Sequence, residues 1–338
     1  MATGMNSATC QHEPCGARAS IVANLSNWST TAPSPWAGVF KLADASNASW
    51  HELVAPLALM TKLTYTATAG TYYNASERDA TVPGWVRPAG FTANPPAGMR
   101  ALLFVQEASR RGVVAFRGTD LGPSGASSEC DRCADALLWD DLAPARLPPY
   151  CRRFSNATLD YWATAQRFVE RVVARFPHLE LLFTGHSLGA GLAFALAAVT
   201  PPPAAPPASP TPASPTPVTR AVSASPAVAF AAPSWTRVVK RRAPHRPLPS
   251  PAAARLRFYA LADEWDPVQR ASSAAGGLLG TQCLWASPEP PACAACYAPP
   301  LPPNATSPAC ERCFALRHVF AHYIYVDVPG PRARCSAG

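Results

Sequence analysis

The stretch LLFTGHSLGAGLAFALAAV, residues 181–199, limits what this chain can fold into more than any other stretch does. An apolar run of strand character breaks off at Gly185, and an apolar helical run starts three residues later. A buried strand that passes straight into a helix needs a bend too tight for side chains beside its apex, and glycines stand there, at Gly185 and Gly189. Ser187 takes the apex, so its hydroxyl projects beyond the carboxyl end of the strand. Free N–H groups and the dipole at the helix start favour negative charge beside it, and the Leu188 amide is placed to donate to an oxyanion. The pattern G-x-S-x-G, with strand before and helix after, therefore reads as an exposed nucleophile. The helical run is about 18 Å long, short of a hydrocarbon core of roughly 30 Å, so it predicts a buried helix and no membrane span.

The surrounding pattern alternates strands and helices. HELVAPLALMTKLTYTA (51–67) has Leu53, Leu57, Met60 and Leu63 at helical spacing. ALLFVQ (101–106) and GVVAF (112–116) read as a strand pair joined by a polar link. A helix is expected over 158–176, with Leu159, Trp162, Val169, Val172, Val173 and Phe176 on one face and Pro177 ending it. ELLFTG leads into the serine, and PAVAFAAP (226–233) and RLRFYALADEWDPV (255–268) are each a strand with a loop at its carboxyl end. This order predicts an α/β fold with a largely parallel central sheet, preceded by an irregular N-terminal arm over 1–50 and ending in a Cys-rich C-terminal part. The domain is expected to run over 51–338, interrupted at 200–217, where nine prolines in eighteen residues exclude helix and sheet.

Compartment follows from cysteine and asparagine. Eleven cysteines are many for a reducing compartment, and six of the eight asparagines begin an N-x-S/T acceptor: Asn24, Asn27, Asn47, Asn74, Asn156 and Asn304. Both predict a secreted, secretory-pathway or vacuolar glycoprotein. The start, MATGMNSATC, carries no basic and apolar leader, so the expectation is a signal peptide lost with a truncated or misassigned start. Three C-x-x-C pairs, Cys130/Cys133, Cys293/Cys296 and Cys310/Cys313, fit disulfides or zinc; disulfides are expected beside so many acceptors. The net charge of +8 is densest in RVVKRRAPHR (237–246). Without interleaved aromatics this cluster excludes a nucleic-acid partner and reads as a solvated basic loop or, failing that, a contact for an anionic interface such as lipid headgroups.

FTGHSLGAGLA resembles the nucleophile elbow of the class 3 (fungal-type) lipases, which are α/β-hydrolases. VVAFRGTD (113–120) is similar to the oxyanion-loop strand of that family, LWDDL (138–142) to its W-x-x-D-L element, VAFAAP to the strand after the elbow helix, and ADEWDPV to its acid loop. The resemblance implies that Thr119 completes the oxyanion hole with amide and hydroxyl, beside the amide of Leu188. It also implies that the Gly/Ser-rich stretch between Thr119 and Trp139 leads toward a lid.

A serine nucleophile needs a base and a group to orient it, in the chain order Ser, acid, His. Asp263, Glu264 and Asp266 follow a strand, and the family pattern selects Asp266 of DPV. Downstream lie His318 and His322. His322-Tyr323-Ile324-Tyr325 resembles the H-x-x-Y of the family, so His322 is expected to be the base and His318 a surface or packing residue. His186, beside the serine, is expected to point away and pack.

The implied activity is carboxylester hydrolysis of glycerolipids, triacylglycerol foremost, at a lipid–water interface on a peripheral membrane or lipid-droplet surface, with no metal and no organic cofactor. Two alternatives are a phospholipase A1, galactolipase or esterase, and a catalytically silent matrix glycoprotein on the same scaffold, as the Ser-Pro/Thr-Pro tract allows.

Overall fold

A computed structural model describes residues 47–68, 70, 72–121, 125–139, 144–201, 224–269, 278–285, 296, 310, 313, 317–318 and 333–337. Among the described residues eight strands form: β1 (Thr92–Ala93), β2 (Ala101–Gln106), β3 (Arg111–Phe116), β4 (Glu180–Gly185), β5 (Ala227–Phe230), β6 (Phe258–Asp263), β7 (Thr281–Trp285) and β8 (Ala333–Ala337). They lie side by side in chain order in one sheet. β3 to β7 run parallel, while β1, β2 and β3 pair antiparallel at one edge and β8 pairs antiparallel with β7 at the other. The expected strands therefore form a largely parallel sheet with antiparallel margins, the arrangement of an α/β-hydrolase.

The helices are α1 (Asn47–Thr66), α2 (Ala126–Leu138), α3 (Asn156–Leu159), α4 (Tyr161–Arg175), α5 (Leu188–Val199), α6 (Thr236–Arg242) and α7 (Pro251–Arg255). Parallel strands that step to the next neighbour in one direction, with crossovers of one hand, deliver every crossover helix to the same face. Side chains divide accordingly. Leu103, Val114, Phe116, Phe183, Ala229 and Phe258 face a core built with α2, α4, α5 and α6. Their strand neighbours Leu102, Phe104, Val113, Leu182, Val228 and Tyr259 face the opposite core. That face would be bare, and α1 covers it with Val54, Leu57, Met60 and Leu63. α1 starts at Asn47, so regular structure begins before the expected boundary at 50, and the rest of the expected arm lies outside the described residues.

Two expected elements take a different form. The helix over 158–176 is two pieces, because the Asp160 side chain accepts from the Ala163 amide and starts a new helix at Tyr161. Val173 falls off its apolar face and is exposed, while Trp162, Phe168, Val169 and Val172 are buried. Within the Gly/Ser-rich stretch after Thr119, Ala126–Leu138 form α2, amphipathic and packed on the sheet. α5 is buried on every side, which explains its lack of any polar face. No helix among the described residues is long and apolar enough to cross a membrane.

The disulfides do not close within the C-x-x-C pairs. Cys133 bonds Cys151, tying α2 to the turn before α3, and Cys296 bonds Cys310. Cys283 and Cys313 are also disulfide-bonded. Cys130 is free and buried, and burial pushes its thiol up to about 11, so it stays protonated and unreactive. Among the described residues no cluster of His, Cys, Asp and Glu is arranged to hold a metal ion. The Pro-rich stretch lies outside the described residues apart from its first two positions.

Candidate active site

The sheet delivers its loops to one end, where the carboxyl ends of parallel strands leave a crevice. Ser187 follows β4 there, with φ 54° and ψ −125°, a left-handed backbone rare for a residue with a side chain. The bend holds because its surroundings leave no alternative. The Ser187 amide donates to the Phe230 carbonyl at 3.0 Å, and the Ser187 carbonyl accepts from Ala190 and Gly191 at 2.9 and 3.1 Å. A Cβ on Gly189 would lie 2.4 Å from the Phe116 carbonyl oxygen, and one on Gly185 would lie 2.5 Å from that of Gly189. The glycines flanking the serine are thus required by close backbone approach.

Three side chains meet in a line. The Ser187 hydroxyl lies 2.8 Å from Nε2 of His318, and Nδ1 of His318 lies 2.9 Å from Oδ2 of Asp266. All three are buried. Asp266 is also a turn cap: its Oδ1 accepts from the amides of Val268 and Gln269, so the carboxylate cannot swing away from the imidazole. Asp263, the other candidate acid, instead accepts from the Trp265 amide and pairs with Arg317 at 3.5 Å, fastening the residue next to His318.

The expectation that His322 faces the serine is therefore corrected. His318 occupies that position, and His322 lies outside the described residues. The H-x-x-Y likeness was local, whereas the choice between two histidines four residues apart depends on how the chain beyond β7 comes back to the sheet. Nothing in the local pattern carries that path.

Electrostatics fit a poised base. Burial lowers the His318 pKa, but the charge and hydrogen bond of Asp266, with a smaller push from Asp135, outweigh it and leave it raised. His186 does pack, but against the site and not away from it. Its ring lies 4.8 Å from that of His318, and its Nδ1 lies 2.9 Å from the Tyr65 hydroxyl. Burial, followed by the neighbouring His318, holds its pKa well below the usual histidine range, so a neutral ring stands beside the base.

Thr119 and Leu188 line the same cleft as Ser187 and His318. The loop between them is close-packed: a Cβ on Gly118 would lie 3.1 Å from the Ser187 Cβ. Among the described residues neither the Thr119 amide nor the Leu188 amide has an acceptor. The Thr119 hydroxyl is not available as expected, because it donates to Asp135 Oδ2 at 2.6 Å, leaving only the amide for an incoming oxyanion. Asp135 also accepts from the Trp139 indole at 3.0 Å, so one carboxylate on α2 positions both the loop and the cleft wall. Sequence reading missed this residue, and its only signal was a second acid, one helical turn after Asp131, on the inner face of α2. Beneath the loop, Arg117 pairs with Asp131, whose Oδ2 also accepts from the Asp120 amide at 2.8 Å. This buried network makes the turn after β3 rigid.

The cleft has a volume of about 560 Å³, and Leu121, Leu138, Trp139, Leu188, Pro233 and Val268 give it mostly apolar walls. A buried Ser–His–Asp line beyond the carboxyl ends of a parallel sheet is the arrangement that serine hydrolases of the α/β-hydrolase fold use. Residues 113–228 of the chain match the family described as Lipase (class 3). Among solved structures it is similar to the lipase from Rhizopus microsporus var. chinensis, at 15% identity over 73% of this chain and 77% of that one, with a TM-score of 0.39. Lipase II from Rhizopus niveus aligns at 14% identity over 71% and 82%, TM-score 0.39. The Lip2 lipase from Yarrowia lipolytica aligns at 14% over 68% and 76%, TM-score 0.37. No curated protein matches the sequence.

Proposed function

We propose that the chain hydrolyses acyl esters of glycerolipids, triacylglycerol foremost, through an acyl-enzyme on Ser187. The observation that carries this reading is the unbroken hydrogen-bonded line Ser187–His318–Asp266 at the floor of an apolar cleft. His318 Nε2 takes the hydroxyl proton as Ser187 Oγ attacks the ester carbonyl. Asp266 fixes the ring and stabilises the imidazolium. The amides of Thr119 and Leu188 receive the oxyanion. His318 then passes its proton to the departing glyceryl oxygen, and water repeats the sequence to release the fatty acid and restore Ser187. These steps use only side chains and amides of the chain. The apolar walls suit an acyl chain and contribute binding by desolvating it.

Ser187→Ala should abolish covalent labelling by a fluorophosphonate and lower ester turnover by about 10⁶-fold with the fold intact. Labelling that survives the substitution would move the nucleophile elsewhere. Emulsions of triacylglycerol, phospholipid and galactolipid assayed side by side identify the headgroup class.

The disulfides support residence in an oxidising compartment. Secretion and N-glycosylation are the reading that the acceptors favour, and Asn74 and Asn156 are both exposed. Protein from a secretory host should lose mass on N-glycosidase treatment; an unchanged mass would overturn the glycoprotein reading.

A further inference from the structure

The rim of the cleft carries charge that the proposed hydrolysis does not use. Arg132 of α2 and Arg237 of α6 stand on different walls of the mouth, near the exposed Leu121. α6 is two-sided. Val238 and Val239 are buried in the core, and helical rotation puts Arg237 and Lys240 on the opposite side, where both are exposed.

The other cations of α6 have structural partners: Arg241 donates to the Leu138 carbonyl, and Arg242 pairs with Asp160 at 3.6 Å. These bonds tie the helix to the end of α2 and the start of α4, so its outer face is held in place. Arg237 and Lys240 form no ion pair with a carboxylate among the described residues. Asp135, the carboxylate lining the cleft, faces inward and is bound to Thr119 and Trp139.

We propose that this rim is a docking surface for an anionic lipid interface, with Arg237 and Lys240 against the headgroup layer, Arg132 beside them and the cleft opening into the lipid. The inference rests on the lipase reading for the direction in which the cleft must open. Lipid favours this face over a nucleic acid because cations and an exposed leucine share one rim around an apolar opening. Each basic side chain near an anionic surface strengthens attachment, and salt screens the attraction.

The test uses the full chain carrying Ser187→Ala, so that docking is measured without turnover. Co-sedimentation is compared between phosphatidylcholine vesicles and vesicles containing about one-third phosphatidylglycerol. Binding should favour the anionic vesicles and weaken as salt rises. Adding Lys240→Gln should weaken it about fivefold, and Arg237→Gln with Lys240→Gln about 25-fold, as expected for loss of one and two cations at the surface. Arg255→Gln, on α7, should leave it unchanged. With Ser187 present, Lys240→Gln should hydrolyse a soluble p-nitrophenyl ester at the unaltered rate. Equal binding to both vesicle types, or equal weakening by Arg255→Gln, overturns the proposal. So does Lys240-dependent binding of a DNA duplex without vesicle binding. Failure of the soluble-ester assay would instead sink the lipase reading and leave the vesicle result standing.

Discussion

The proposed base, His318, is set apart by a few ångströms. His318 touches both the serine and the acid, and Asp266 is locked by two amides, so this imidazole is held in one orientation. His318→Ala should lower acylation by a p-nitrophenyl ester nearly as far as Ser187→Ala, since members of a triad act as a unit. His322→Ala should keep most of the rate, and the reverse result would return the base to His322. The pH profile gives an independent readout. The base must be neutral to accept a proton, and its pKa is raised, so activity should fall with decreasing pH along a limb that lies above the ordinary histidine value of 6.5. Asp266→Asn removes the charge that raises it. The limb should move to lower pH while the plateau drops by about 10⁴-fold.

At the scale of elements, α2 is the least expected part of the site. Its inner face carries Asp135, which holds Thr119 and Trp139, and Asp131, which holds Arg117 and the Asp120 amide. The Cys133–Cys151 bond closes a loop of 18 residues around this helix, worth about 3 kcal/mol by restriction of the unfolded chain. Cys133→Ala with Cys151→Ala should lower the urea midpoint accordingly. Ester hydrolysis should fall as well, because a looser α2 no longer positions the Thr119 loop. Stability lost with activity unchanged would show that the loop is held without α2.

For the whole molecule, the sheet separates chemistry from tolerance. The serine, acid and oxyanion loops leave the carboxyl ends of the strands, while α5 ends and β5 begins at the other end, on either side of the Pro-rich stretch in the sequence. Its two ends already meet, since the Ser225 amide and hydroxyl both donate to the Thr200 carbonyl, at 3.3 and 3.1 Å. Replacing 203–221 with a short Gly/Ser linker should therefore leave the melting temperature and soluble-ester turnover nearly unchanged. A variant that folds but loses most of its activity would show that the stretch reaches the site.

The sequence alone determined what depends on neighbours in the chain. Short continuous apolar runs marked β2 to β6, a 3.6-residue period marked α1 and α4, and the glycines around Ser187 marked the elbow, because each signal lies within one element and its flanks. The candidate acid was only partly legible: the strand end narrowed it to Asp263, Glu264 and Asp266, and the family pattern singled out Asp266. Only the tertiary structure decided between His318 and His322, 131 and 135 residues beyond the serine, because a residue that far along the chain is brought back by the path of the loop and not by its neighbours. The same holds for the disulfide partners, for the Thr119 hydroxyl and for Asp135. Each is set by which surfaces α2 and the C-terminal segment meet when the core closes, and that packing is a property of the assembled sheet and helices.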